Sequence, residues 1–210
     1  MTKKLSDEEV GRLLLPYGFR SDPPFCENLR AYVILLQRWN SKISLTTVTD
    51  PHEIVKFHFG ESLFAVSALQ IEKSRLADVG TGAGFPGLPI AMAVPGLELT
   101  LVEPVAKKCA FLAEVVRALG LTGVTIFRGR MEAFRPDSAK FDWVAARALG
   151  LHDELLSWAT AHLHPSGRVA LWLGEGDAAP ISRSARWDWR DPILIPGSER
   201  RYLLAGSPKR

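Results

Sequence analysis

Cysteine is scarce in this 210-residue chain: Cys26 and Cys109 are its only two. They are too few and too far apart for a disulfide framework or a zinc knuckle. Long apolar runs are missing as well, and none approaches the ~18 residues that a membrane span needs. Met1-Thr2-Lys3-Lys4 leads almost directly into Ser6-Asp7-Glu8-Glu9, without the apolar segment of a secretory signal. The 14 Pro and 17 Gly are scattered, which excludes collagen-like and low-complexity chains. These absences lead us to expect a soluble, cytoplasmic globular protein, one domain or one domain with an extension.

Charge of one sign is in mild excess, with a net +3. Residues 1–74 balance at nine Lys/Arg and nine Asp/Glu, whereas residues 183–210 hold seven against three. That basic edge suits a polyanionic partner, and it is equally compatible with a solubilising surface.

The first 74 residues read as a helical extension. Ser6 and Glu9 form a capping box opening a helix that Pro16-Tyr17-Gly18 stops. Asp22-Pro23-Pro24 opens a second helix with an apolar stripe of Leu29, Tyr32, Val33, Leu36 and Trp39. Asp50-Pro51 opens a third, in which Ile54, Phe57, His58, Glu61, Ser62 and Ala65 share a face at helical spacing. At Arg75 the period changes. Strand candidates at 76–79, 99–102, 124–127, 142–146 and 168–172 alternate with helical stretches near 87–94, 105–119 and 150–162. This is the pattern of a doubly wound, mostly parallel α/β sheet over 75–210. Residues 192–204 read as a closing β-hairpin turning at Pro196-Gly197-Ser198.

The most informative segment runs from Asp78 to Gly87. Glycines after a first strand let the backbone turn sharply and approach a ligand. Glu103 ends the second strand, where an acid accepts hydrogen bonds from a ribose diol. Gly82-Ala83-Gly84-Phe85-Pro86-Gly87 formally matches the dinucleotide pattern, but Pro86 removes an N–H that a pyrophosphate needs. S-adenosylmethionine (SAM) has no phosphate, and Asp78 suits its ammonium, so SAM is favoured over NAD. A tight turn with no ligand remains the bland alternative.

Asp78-Val79-Gly80-Thr81-Gly82-Ala83-Gly84-Phe85-Pro86-Gly87-Leu88-Pro89 closely resembles the glycine loop of the RsmG (GidB) family. The likeness extends to Trp39-Asn40-Ser41-Lys42-Ile43-Ser44-Leu45-Thr46, to His58-Phe59-Gly60-Glu61-Ser62-Leu63, to Lys107-Lys108 and Phe111-Leu112, to Gly129-Arg130-Met131-Glu132, and to Phe141-Asp142 with Ala146-Arg147-Ala148. The family are bacterial methyltransferases that modify guanine N7 in small-subunit ribosomal RNA. The resemblance implies a class I SAM-dependent methyltransferase fold, SAM as cofactor with S-adenosyl-L-homocysteine as product, no metal, and 16S ribosomal RNA or the small ribosomal subunit as partner of a monomer. It further implies that Gly80 and Phe85 line the methionine and adenosine side, in the loop whose Asp78, Gly82 and Gly84 are read as lying along the methionine moiety and ribose. Glu103 would hold the ribose, Met131 and Glu132 would flank the adenine, and Arg147 would stand at the cofactor–substrate boundary, both as a cofactor contact and as the catalytic candidate. The chain departs from the family pattern at Glu61, usually Asp, and at Leu173, usually Lys.

Other candidates have bland readings beside the functional ones. Arg128 and Arg130 follow a strand end and are either RNA contacts or solvated arginines. His58 and Glu61 could form an acid–base pair, though a helix-packing hydrogen bond is favoured. His162 and His164 lack a third ligand for a metal. Trp187 and Trp189 could stack bases, but a strand packing both onto the sheet is preferred. Cys109 reads as core. A SAM-dependent methyltransferase acting on a small molecule and a non-catalytic nucleotide-binding module remain the rival functions.

Overall fold

The computed structural model describes residues 5–135 and 140–209. Met1–Lys4, read above for the lack of a leader, and Arg210 of the basic edge lie outside the described residues. Helix α1 (Asp7–Leu14) opens with the expected capping box, Glu9 N donating to Ser6 Oγ at 3.1 Å and Ser6 N to Glu9 Oε2 at 2.8 Å. It ends in a 3₁₀ turn whose Gly18 has φ +73°. Asp22 caps α2 (Pro23–Asn40), and the stripe from Leu29 to Leu36 is buried.

The third helix differs from expectation. It starts as α3 (Pro51–Ile54), passes through a π-helical stretch at Val55–Gly60, and continues as α4 (Glu61–Leu69). The wider turn shifts the phase, so Phe59, Gly60, Glu61, Ser62 and Leu63 are all buried while Phe57 and His58 are half-buried. Such bulges recur at functional sites.

The α/β part follows as β1 (Arg75–Val79), α5 (Gly87–Ala93), β2 (Glu98–Glu103), α6 (Ala106–Ala118), β3 (Val124–Arg128), β4 (Phe141–Arg147), α7 (His152–His162), β5 (Leu163–Gly174), α8 (Glu175–Ser182), β6 (Trp187–Trp189), β7 (Ile193–Leu194) and β8 (Arg201–Pro208). The sheet order is β3-β2-β1-β4-β5-β8-β6, with β7 also pairing with β8. β1 to β5 are parallel and the rest antiparallel. The hairpin is present: Ile193 faces Leu203 and Leu194 faces Tyr202. Trp187 and Trp189 sit on β6 with their rings stacked at 5.3 Å, as the packing reading has it. β5 begins at Leu163, five residues earlier than expected, and α8 has no counterpart among the elements that the sequence predicts.

Strand parity decides what each side chain meets. Leu76, Leu99, Leu101, Trp143, Ala145, Ala170, Trp172, Leu203 and Ala205 pack on one face, in one cluster with the N-terminal helices, α5 and α6. Ala77, Val79, Val102, Val144, Ala146 and Leu204 pack on the other, against α7 and α8. Asp78, Glu103, Arg147 and Arg201 have the parity of the first set. Their side chains therefore emerge on the side that the helix of residues 51–69 covers.

Candidate active site

The strand order reverses between β1 and β4, and open α/β sheets bind ligands at the carboxyl ends flanking such a point. The glycine loop sits there. Gly80, Gly82 and Gly84 adopt φ of +70°, +59° and +90°, the left-handed region that side chains disfavour. Two carboxylates brace the loop from below. Asp78 Oδ2 accepts from Thr81 Oγ1 at 2.6 Å and from Gly87 N at 2.8 Å. Glu103 Oε2 accepts from Gly82 N at 3.0 Å, and its Oε1 accepts from Val105 N at 2.9 Å. Asp78 is fully buried, and burial raises its carboxyl to about 6 against the lowering hydrogen bonds of Thr81 and Gly87.

A cleft of about 240 Å³ opens beside the loop, between Gly80, Pro104, Met131, Glu132 and Leu149. Arg130 also lines it. Of the residues named from the sequence, Gly80, Met131 and Glu132 are thus brought to one cavity. Gly82, Gly84 and Glu103 shape the loop at its edge. Asp78 lies under the loop rather than on a wall. Phe85 points into the interior, stacked 5.3 Å from Tyr32 and 4.7 Å from His58. Arg128 is exposed at the end of β3.

The donor set fits SAM better than a diphosphate. The N–H of Gly87, first residue of α5, is already taken by Asp78, so this helix start offers it to no phosphate. Asp78 Oδ1 is buried with no hydrogen-bond partner among the described residues, an acceptor that a ligand ammonium could satisfy directly or through a water. A Cβ on Gly82 would meet nothing nearer than Gly80 O at 3.9 Å, so the glycine leaves open space at the loop surface.

Across Leu149 lies a second cleft of about 460 Å³, between Arg147, Leu149, Trp172, Ile195 and Arg201, with Glu61 at its base. Glu61 is 1% exposed. Its Oε2 is 3.4 Å from Arg147 Nη2 and its Oε1 is 2.7 Å from Arg201 Nε. Burial raises the Glu61 carboxyl despite both arginines, and it lowers the Arg147 guanidinium despite Glu61. The backbone carbonyl of Glu61 accepts from Trp172 Nε1 at 2.8 Å. Sequence reading missed this triad, although parity along β4 and β8 would have turned both arginines to one face once the sheet order was known.

His58 does not pair with Glu61. Its Nδ1 lies 3.3 Å from Arg147 Nη2 and its Nε2 lies 2.7 Å from Thr46 Oγ1. A guanidinium can only donate, so Nδ1 accepts and the ring is the neutral Nε2–H tautomer, donating to Thr46. Burial, then the charge of Arg147, lowers the His58 pKa to about 3. Asn40 fixes Thr46 in turn: its Oδ1 accepts from Leu45 N and Thr46 N, and its Nδ2 donates to Thr46 O at 2.8 Å. The Asn40–Thr46 segment of the family resemblance is therefore a scaffold that reaches Arg147 through His58. His162 Nδ1 donates to Trp158 O at 2.7 Å, and His164 contacts Ser166 Oγ.

Strand order, glycine loop and terminal acid define the fold of class I SAM-dependent methyltransferases. Ribosomal protein L11 methylase of Lactobacillus delbrueckii subsp. bulgaricus superimposes with a TM-score of 0.60 at 14% identity, over 81% of this chain and 93% of that one. Glycopeptide N-methyltransferase MtfA, solved with sinefungin, gives 0.55 at 16% identity, over 73% and 87%. The sequence profile described as rRNA small subunit methyltransferase G, GidB, matches residues 25–186. A protein named ribosomal RNA small subunit methyltransferase G from Roseiflexus castenholzii is 35% identical, covering 94% of this chain and 89% of its own length. Its namesake from Escherichia fergusonii is 34% identical, over 87% and 88%. This chain belongs to the GidB, rRNA small subunit methyltransferase G, family.

Proposed function

We propose that this enzyme methylates N7 of a guanine in 16S ribosomal RNA, using SAM held in the cleft beside the glycine loop. The observation that carries the reading is the juxtaposition of that cleft with a second one: Leu149 lines both, and Arg147 lines the second. In this reading the backbone of Gly80–Gly84 borders the methionine side, with Asp78 beneath it. Glu103 takes the ribose hydroxyls, and Met131 with Glu132 borders the adenine. When bound, SAM supplies a sulfonium methyl whose C–S bond breaks as the N7 lone pair forms the new C–N bond.

Guanine N7 carries that lone pair in the neutral base, so the protein needs no general base. Neutral His58, hydrogen-bonded on both ring nitrogens, is consistent with that. What the residues must supply is position, and rigidly held groups serve this best. Arg147 is fixed by Glu61 and His58 from the covered side of the sheet. The product ring is cationic, and the buried Glu61 carboxylate cancels one of the two guanidinium charges that would oppose it.

The test is methyl transfer from tritiated SAM to ribosomal RNA of a strain lacking the gene, with the product nucleoside identified by mass spectrometry. 7-Methylguanosine supports the reading; transfer to small molecules alone, or none, overturns it. Glu103→Ala should weaken SAM binding by about 2 kcal/mol, from the missing acceptor and the loosened loop. A change in Kd below twofold by calorimetry would remove Glu103 from the site.

A further inference from the structure

The second cleft has a chemistry of its own. Its walls are mostly apolar, from Leu149, Trp172 and Ile195, with His152 and Asp177 also lining it, and two guanidiniums in it grip one buried carboxylate. Arg147 Nη1 has no hydrogen-bond partner among the described residues, so Arg147 retains donor capacity beyond its contacts with Glu61 and His58. The volume of about 460 Å³ lies in the range of small-molecule sites, which are mostly apolar with a few fixed polar groups. It stands at the carboxyl ends of β4 and β5, where Arg147 faces Trp172 in register.

The chemistry of a purine edge suits this arrangement. Methylation requires N7 to face the cofactor cleft, on the far side of Leu149. The neighbouring position on the same edge is O6 in guanine, an acceptor, and an amino donor in adenine. Arg147 lines this cleft, two residues before Leu149, which lines both clefts. Its guanidinium has donors only, so it rewards O6 and repels an amino group.

We infer that this cleft seats the acceptor base, that Arg147 reads O6 and thereby selects guanine, and that Glu61 is the positioning residue that holds Arg147 in place; the inference rests on the methyltransferase function proposed above. Arg201 balances the second oxygen of Glu61, which keeps the carboxylate from withdrawing Arg147 from the base. The longer arm of Glu61, where the family resemblance has Asp, meets both arginines from beneath the cleft.

The experiment uses the full-length protein and its RNA substrate, rebuilt by splinted ligation with one base exchanged at the mapped position. Inosine keeps N7 and O6 but lacks the 2-amino group, whereas 2-aminopurine keeps N7 and lacks O6. Rates are normalised to the reactivity of each RNA with dimethyl sulfate. The wild type should methylate inosine within severalfold of guanosine and 2-aminopurine at least a hundredfold more slowly, the scale on which a site built to hydrogen-bond one group rejects an analogue without it. In Arg147→Ala the ratio of guanosine to 2-aminopurine rates should collapse to severalfold. Glu61→Gln should lower that ratio as well, and Glu61→Asp should restore most of it. Calorimetric SAM affinity and circular dichroism show that each variant is folded.

Two outcomes overturn the inference. One is 2-aminopurine methylated as fast as guanosine by the wild type. The other is Arg147→Ala slowing every RNA by the same factor, which assigns the guanidinium to a phosphate. Both differ from failure of the proposed function, in which guanosine RNA itself yields no 7-methylguanosine.

Discussion

Glycines of one loop carry different duties. A Cβ on Gly84 would come within 2.5 Å of Leu88 Cδ1 and against the Tyr32 hydroxyl, so that position is constrained by packing. Gly82 faces open space at φ +59°. Gly82→Val should therefore cost the fold only the strain of a β-branched residue in the left-handed region, roughly 1–2 kcal/mol. SAM should meet the added methyls directly, and a loss of binding beyond a hundredfold with a native circular dichroism spectrum is expected. Unchanged affinity would detach the loop from the cofactor. Titration separates His58 from its surroundings in a similar manner. The folded ring stays neutral to about pH 3, while the unfolded ring protonates near 6.5, so its contribution is present above 6.5 and lost as pH falls. Asp78 acts oppositely: its folded carboxyl protonates near 6 and its unfolded one near 3.8, so acidification through that window stabilises the protein. The two largely offset each other in the wild type. His58→Gln removes one side, and its stability relative to wild type should rise by roughly 2 kcal/mol from pH 7 to pH 5 in urea unfolding. A difference independent of pH would show that His58 titrates normally in the fold.

Among the elements, the π-helical stretch is the one that sequence periodicity could not supply. Helical spacing places Phe57 and His58 on one face with Glu61, but the extra residue in the turn buries Phe59 and Gly60 instead. Gly60 makes this possible, because a Cβ there would lie 2.5 Å from Tyr17 Cδ2. Ala is the better helix former by about 1 kcal/mol, while overpacking costs about 1–3 kcal/mol. Gly60→Ala should thus lower stability by ~1–2 kcal/mol, and should become neutral or stabilising when Tyr17 is also Ala. A loss that persists in the double variant would place the strain in the backbone rather than against the ring. The parallel strands were legible because Leu99–Val102 and Val124–Phe127 are β-rich runs bounded by turn residues. Three-residue β6 and the early start of β5 were not, since both depend on pairing with partners distant in sequence. The glycine loop and Glu103 could be read for the same local reason that the strands could. The joining of Glu61, Arg147 and Arg201 could not, because residues 61, 147 and 201 meet only through the order of the sheet.

At the scale of the whole molecule, the two clefts open at one edge of the sheet and the excess positive charge lies in the last 28 residues. Arg183, Arg186, Arg190 and Arg200 are all exposed there. Charge of this kind adds little to the fold, since exposed charges are screened by salt and solvent. It matters for a polyanion, whose condensed counterions are released when cations approach. The logarithm of the association constant then falls linearly with the logarithm of salt concentration, by about 0.7 to 0.9 per neutralised phosphate. Binding of ribosomal RNA should therefore weaken steeply with salt. Replacing the four arginines by glutamine should flatten the slope by about 0.7 to 0.9 for each phosphate that an arginine had neutralised, leaving SAM affinity and thermal stability nearly unchanged. A slope that stays the same would show that RNA approaches by another surface. Equal weakening at every salt concentration would trace the effect to the base and its pocket instead, because an interaction with uncharged groups releases no counterions and has no reason to depend on salt.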